Sequence, residues 1–98
     1  MPVKPYSVTL AVKGRRLVVH PHNIPDRKVG DKLRFDSKDG KFQVEFDRWI
    51  FSGKGPYITN RRARTIRRDG RYNVSCSLTT PTGERYAYTA GARGNVTP

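Results

Sequence analysis

The sequence predicts an all-β domain, a Greek-key β-sandwich of about seven short strands, antiparallel or mixed. Three observations point there. Apolar residues recur at every second position in several short runs, which is the period of a half-buried strand. Clusters of Gly, Pro, Asn and Asp interrupt those runs every ~8–12 residues, the spacing of turns in sandwiches and barrels. No stretch carries an amphipathic helical pattern of ~10 residues or more.

The elements follow in order. Tyr6 to Val12 alternates, with Tyr6, Val8, Leu10 and Val12 on one face, and Lys13-Gly14 turns it into a second strand over Arg16 to His20. Those two predict an opening hairpin. Pro21 to Arg27 holds two prolines; proline has no ladder donor, so this segment is expected to cross between sheets. Val29-Gly30-Asp31 leads into Lys32–Asp36, and after a turn at Ser37–Gly40 the alternation resumes over Lys41–Asp47 with Phe42, Val44 and Phe46 on one face. These two segments predict a second hairpin. Trp49, Ile50 and Phe51 form an apolar cluster before the loop Ser52–Pro56. Arg61–Arg68 holds a single large apolar residue, Ile66, and reads as a loop entering a short strand near Ala63–Arg67. Asp69-Gly70 then opens the clearest strand, in which Tyr72, Val74, Cys76 and Leu78 face one way and Arg71, Asn73, Ser75 and Ser77 the other. Pro81-Thr82-Gly83 turns the chain into Glu84–Ala90, and residues 91–98 are expected to be a loose carboxy-terminal tail. Residues 1–98 form one domain by length.

Two of these segments resemble a known family. Val29-Gly30-Asp31-Lys32-Leu33-Arg34-Phe35 is similar to the Val-x-x-Gly-Asp-x-Val-x-Phe entry of cupredoxin strands, and Gly70-Arg71-Tyr72-Asn73-Val74-Ser75-Cys76 to the strand that delivers the copper cysteine. The resemblance runs from Val29 to Leu78 and implies a cupredoxin-like sandwich. Gly-Asp and Gly-x-Tyr entries also occur in immunoglobulin-like sandwiches, which stay open as the alternative. The family's chemistry does not follow. A blue-copper site takes two imidazoles and a thiolate with a weak axial ligand, usually methionine. No histidine follows Cys76, the only methionine is Met1, and Lys41, Phe42 and Gln43 stand where the other imidazole belongs. No cofactor and no metal are therefore expected.

The remaining chemistry-bearing residues are few. His20-Pro21-His22 would set both rings on one face of an extended chain, but no further ligand is near in sequence, so a solvated pair is the better reading. Cys76 alternates with core residues and is expected to be inert packing. Nucleophile elbow, P-loop and dinucleotide fingerprints are all missing, and Asp31, Asp36, Asp39, Asp47 and Asp69 sit at turns. The chain is not expected to be an enzyme.

What stands out is charge. Twenty Lys and Arg against eight Asp and Glu give a formal net charge of +12. Arg61, Arg62, Arg64, Arg67, Arg68 and Arg71 concentrate it, with Asp69 the single acid among them. Arginine's planar fork suits bidentate phosphate contacts and stacking on bases. Trp49, Phe51 and Tyr57 precede the run and offer stacking faces, or else cap a thin core. The reading is a non-catalytic module whose arginine-rich surface contacts a polyanion, nucleic acid or an acidic protein surface. The alternative is a protein-interaction or structural module that joins a larger assembly or inhibits an acidic partner. No apolar run reaches the ~20 residues of a membrane span. Met-Pro-Val-Lys-Pro-Tyr has no apolar stretch behind it, so no intact signal peptide is expected and the cytoplasm is the default compartment.

Overall fold

The computed structural model describes residues 4–98, apart from the side chains of residues 89–91; Met1 and the start of the segment weighed as a leader lie outside the described residues. Nine strands are present among the described residues: β1 (Tyr6–Lys13), β2 (Arg16–His20), β3 (Arg27–Lys28), β4 (Lys32–Ser37), β5 (Lys41–Phe46), β6 (Tyr57–Ile58), β7 (Arg64–Thr65), β8 (Gly70–Thr79) and β9 (Arg85–Thr97). They form two sheets, ordered β2-β1-β4-β7 and β3-β9-β8-β5-β6. The excess over seven comes from β3 and β6, two residues each, too short to show a period, whereas β7, equally short, falls within the strand expected near Ala63–Arg67.

The opening hairpin forms as expected, with β1 antiparallel to β2 and Leu10 opposite Val19. The proline-bearing segment does cross sheets, ending in β3 beside the end of β9. The second predicted hairpin does not form. β4 lies parallel to β1 in one sheet and β5 antiparallel to β8 in the other, so Ser37–Gly40 is a corner between layers. That corner is pinned: Val12 N donates to Asp39 Oδ2 at 2.7 Å, and Asp39 N donates to Ser37 Oγ at 3.2 Å. A period of two marks which side chains point inward, and it is the same for a hairpin and for two strands facing each other across a core.

The core is built from the alternations the sequence carries. Val8, Leu10, Leu33, Phe35, Phe42, Val44, Phe46, Tyr72, Val74, Cys76 and Leu78 are all buried. Phe46 sits at the meeting point of four rings, edge-on to Phe35, Trp49 and Phe51 with centroids 5.4–5.8 Å away, and stacked on Tyr72 at 5.7 Å. Offset and edge-to-face pairs each add about 0.5–1.5 kcal/mol beyond the area they bury.

The carboxy-terminal segment corrects the expectation of a loose tail. β9 runs to Thr97, Ala92 and Val96 are buried, and Gly70 and Tyr72 of β8 pair with Val96 and Gly94. Gly94 is needed there, since a Cβ would collide with the Tyr72 ring and hydroxyl beneath it. Small and polar residues concealed this strand: Gly94 fills no core space yet makes room for a large ring.

Candidate functional site

The arginine run is presented by one buried anchor. Ile66 is fully buried, its N–H donates to Asp31 O and its carbonyl accepts from Gly30 N, both at 2.8 Å, and it bridges Phe51. The next two residues are tied as well, with Arg67 N and Arg68 N donating to Ile50 O at 2.8 and 3.2 Å. With the backbone held at both edges, the guanidinium groups beside Ile66 are left on the surface.

They do not act as one cluster. Arg61 is spoken for: Nε meets Asp36 Oδ1 at 2.8 Å and Nη2 donates to Ser37 O at 2.6 Å. The approach to Asp36 lies off the line of a directed hydrogen bond, so that contact is Coulombic. Arg62, Arg64 and Arg67 surround a shallow concavity of about 280 Å³ with Ser52 and Thr65, and no carboxylate lines it. The Nε of Arg64 is buried and has no hydrogen-bond partner among the described residues. Arg68 is exposed beside it. Arg71 belongs elsewhere, on the outer face of the second sheet, where it stands opposite Asn95, with Asn73 opposite Arg93.

The three aromatics separate too. Phe51 is 1% exposed, so it is core and has no ring face to offer a base. Trp49 is half-buried, packed on Phe46 and Phe51, and its ring covers Gly55. Tyr57 alone is open, at 49% exposure, on β6 and outside the arginine concavity. A thin core consumes the large side chains near it, and Phe51 and Trp49 went to that use.

Two arginines outside the run lie beside its last members, Arg48 at Asp69 and Arg93 near Arg71. Arg48 reaches the carbonyl of Asp69 and packs over Gly70, whose φ of 116° a side chain would strain. Arg93 joins Arg71 through the β8-β9 register. Neither lies in a charge run, so sequence spacing could not group them. Asp47 binds Asn73, accepting from its N–H at 2.7 Å and its amide at 2.9 Å. Desolvation pushes the Asp47 carboxyl up, but those bonds and one from the Arg48 backbone outweigh it and hold the group below its ordinary value.

The residues that would matter for copper are arranged otherwise. Cys76 is 4% exposed in apolar surroundings, and burial pushes its thiol from 9.0 up to about 12. His20 is exposed at the end of β2, and His22 is half-buried at a bend, with Nδ1 2.5 Å from the Tyr88 hydroxyl. Among the described residues no three His, Cys, Asp or Glu side chains gather as a metal set. A buried thiol without imidazoles beside it does not fit the blue-copper donor set.

Burial of Cys76 and Tyr72 carries a pH consequence. Desolvation raises both, Tyr72 from 10.0 to about 12, with Arg27 lowering and Asp26 raising it as lesser effects. Their stabilising contribution is full below pH 9, where neither state ionises them, and is lost between pH 9 and 12 as the unfolded chain ionises first. Urea midpoints should therefore fall steeply across that window, and Cys76→Val should flatten the fall. Native Cys76 should resist a thiol reagent that reacts at once in urea; rapid modification of the folded protein would contradict this burial.

No protein-family model matches the chain, and neither does any curated protein. Solved structures do. A copper-containing nitrite reductase from Thermus scotoductus SA-01 aligns over 98% of this chain with a TM-score of 0.54 at 17% identity. The chain spans 23% of that enzyme's length. Two amicyanin variants in the Cu(I) state align over 97% and 93% of this chain and 86% and 82% of theirs, at 16% and 15% identity with TM-scores of 0.48 and 0.47. The fold is cupredoxin-like, and at this identity the likeness extends to fold alone. No helix among the described residues is long and apolar enough to cross a membrane.

Proposed function

We propose that this cupredoxin-like sandwich is a non-catalytic, copper-free binding module that holds a polyanion, nucleic acid foremost, on the Arg62, Arg64 and Arg67 concavity. One observation carries the reading: among the described residues three arginines and no carboxylate line one concavity, and the buried Nε of one of them has no partner. Keeping like charges together without an internal counterion costs free energy that a bound anion returns. The hydroxyls of Ser52 and Thr65 add neutral donors suited to phosphate oxygens. The overall charge of +12 supplies long-range attraction toward the same class of partner.

Salt dependence is the test. If three phosphates of a single strand are engaged, log K falls with log salt at a slope of about −2, or about 20-fold between about 50 and about 200 mM. Fluorescence anisotropy of a labelled single-stranded oligonucleotide reads this directly. Binding that ignores salt, or no binding at the lower concentration, would sink the proposal.

A second reading, a protein-interaction module, draws on β2, the five-residue terminal strand of its sheet among the described residues. Such an edge can add a partner's strand. Mass in solution after nuclease treatment separates the two readings, because an assembly held by strand pairing survives the removal of nucleic acid.

A further inference from the structure

A larger concavity, about 450 Å³, lies away from the arginine concavity, between the sheet-crossing segment and the β8-β9 pair. Arg71, Arg93, Asn23, Asn95, Asn73 and Asp26 give its lining polar groups, and the buried Ile24 and Tyr72 complete it with Gly94. It is built by register. The backbone of Ile24 donates to Arg93 O at 2.8 Å and that of Arg93 to His22 O at 3.1 Å, which fixes the crossing segment along β9. Arg71 stands opposite Asn95, so Arg93, two residues away on β9, is its diagonal neighbour on the same face. Diagonal positions lie about 7–8 Å apart, within reach of two long side chains converging on one group.

Of these polar groups all but Asn73 are uncommitted. Neither Arg71 nor Arg93 belongs to the ion pair found among the described residues, which joins Arg61 and Asp36. The amides of Asn23 and Asn95 and the carboxylate of Asp26 make no hydrogen bond among the described residues, whereas Asn73 beside them is fastened to Asp47. Inorganic phosphate would suit the arginines but would be repelled by Asp26. A ligand that suits all five carries an anionic group, neighbouring hydroxyls for the carboxylate to accept from, and a flat edge with both donors and acceptors for the amides.

From this we infer that the cavity binds a ribonucleoside monophosphate group. The phosphate takes Arg71 and Arg93, the ribose hydroxyls donate to Asp26, and the base edge meets Asn23 and Asn95, as asparagine meets adenine elsewhere. A volume of this order falls within the range of small-ligand pockets. The inference does not depend on the polyanion reading, which uses Arg62, Arg64 and Arg67 instead. Free nucleotide and the phosphorylated 5′ end of an RNA strand share the chemistry.

Calorimetric titration of the full chain with AMP tests it, alongside dAMP, adenosine and inorganic phosphate. AMP should bind at least about tenfold more tightly than phosphate or adenosine, and about fivefold more tightly than dAMP, because the single groups each forgo one set of partners. Arg71→Gln with Arg93→Gln should weaken AMP at least about tenfold, and Asp26→Asn should erase the preference over dAMP. Thermal melts confirm that these exposed substitutions leave the fold intact. No AMP binding, equal binding of inorganic phosphate, or AMP binding indifferent to the arginine pair would each overturn the inference. Competition by a 5′-phosphorylated RNA but not by its 5′-hydroxyl form assigns the site to strand ends; competition by neither assigns it to the free nucleotide, and both results support the site. Oligonucleotide binding lost with Arg62 and Arg67 but retained without Arg71 and Arg93 tests the polyanion reading separately.

Discussion

Phe46→Ala is expected to cost about 3–5 kcal/mol, the range for removing a large ring from a packed core. Its neighbourhood sets it at the upper part of that range. Phe46 is 3% exposed and touches Phe35, Trp49, Phe51 and Tyr72 at once, so truncation leaves four rings facing a void. These rings come from both sheets and from the Trp49–Phe51 link, which prevents any one of them from collapsing inward without dragging a strand. Domains of this size are stable by about 5–15 kcal/mol, so the variant keeps a folded population only if the wild type lies well inside that range. Urea denaturation checks it, with the midpoint shifting by more than ~1 M for the slopes usual in small proteins. Val29→Ala, at 42% exposure, is the control and should stay within about 0.5 kcal/mol. Should Phe46→Ala shift the midpoint no more than Val29→Ala, the aromatic cluster would not be the centre of the core.

The second large effect concerns binding. Replacing Arg62, Arg64 and Arg67 together by glutamine is expected to weaken a single-stranded oligonucleotide on the order of 100-fold at low salt and to lower the magnitude of the salt slope by about 2. Glutamine keeps length and some hydrogen bonding, so the loss reports charge. Arg61→Gln is the informative comparison. Its guanidinium is already held by Asp36 and the Ser37 carbonyl, and its removal should change affinity by less than about threefold. If Arg61 and the three others prove equivalent, the chain binds polyanions through net charge alone and the concavity has no special part. Arg64 has a buried Nε, so the Arg62→Gln/Arg67→Gln double variant, confined to exposed residues, guards against a change in folding.

The inward faces of β1, β4, β5 and β8 were legible because a strand with one buried face writes its orientation into every second residue. Tyr72, Val74, Cys76 and Leu78 are buried in the structure as their spacing requires. The Gly30-Asp31 and Gly70-to-Cys76 patterns carried the cupredoxin likeness, and the fold agrees. β9 was legible only in its first half. Tyr86 and Tyr88 pack on the core, whereas of the described residues in the second half only Ala92 and Val96 are buried and Gly94 between them makes room for Tyr72.

The site was legible as composition and not as arrangement. Six arginines in one run suggest one surface, but the chain passes from one sheet to the other within it. Asp36 draws off Arg61, Ile66 turns inward, and β8 carries Arg71 to the other sheet. The converse held for Arg71, Arg93 and Asn23, which are scattered in sequence and brought together only through strand register and the crossing segment.

By itself, then, the sequence determined the fold class, the cationic character and the inward faces of the strands, since each follows from local periodicity or from a sum over side chains. Only the tertiary structure decided which strands pair, which aromatics are consumed by the core and which arginines share a concavity. Those depend on contacts between residues far apart in the chain, and a period of two is blind to what lies across the layer. The strand that carries Cys76 illustrates both: its spacing makes it the spine of the second sheet, and its neighbours bury the thiol in the core.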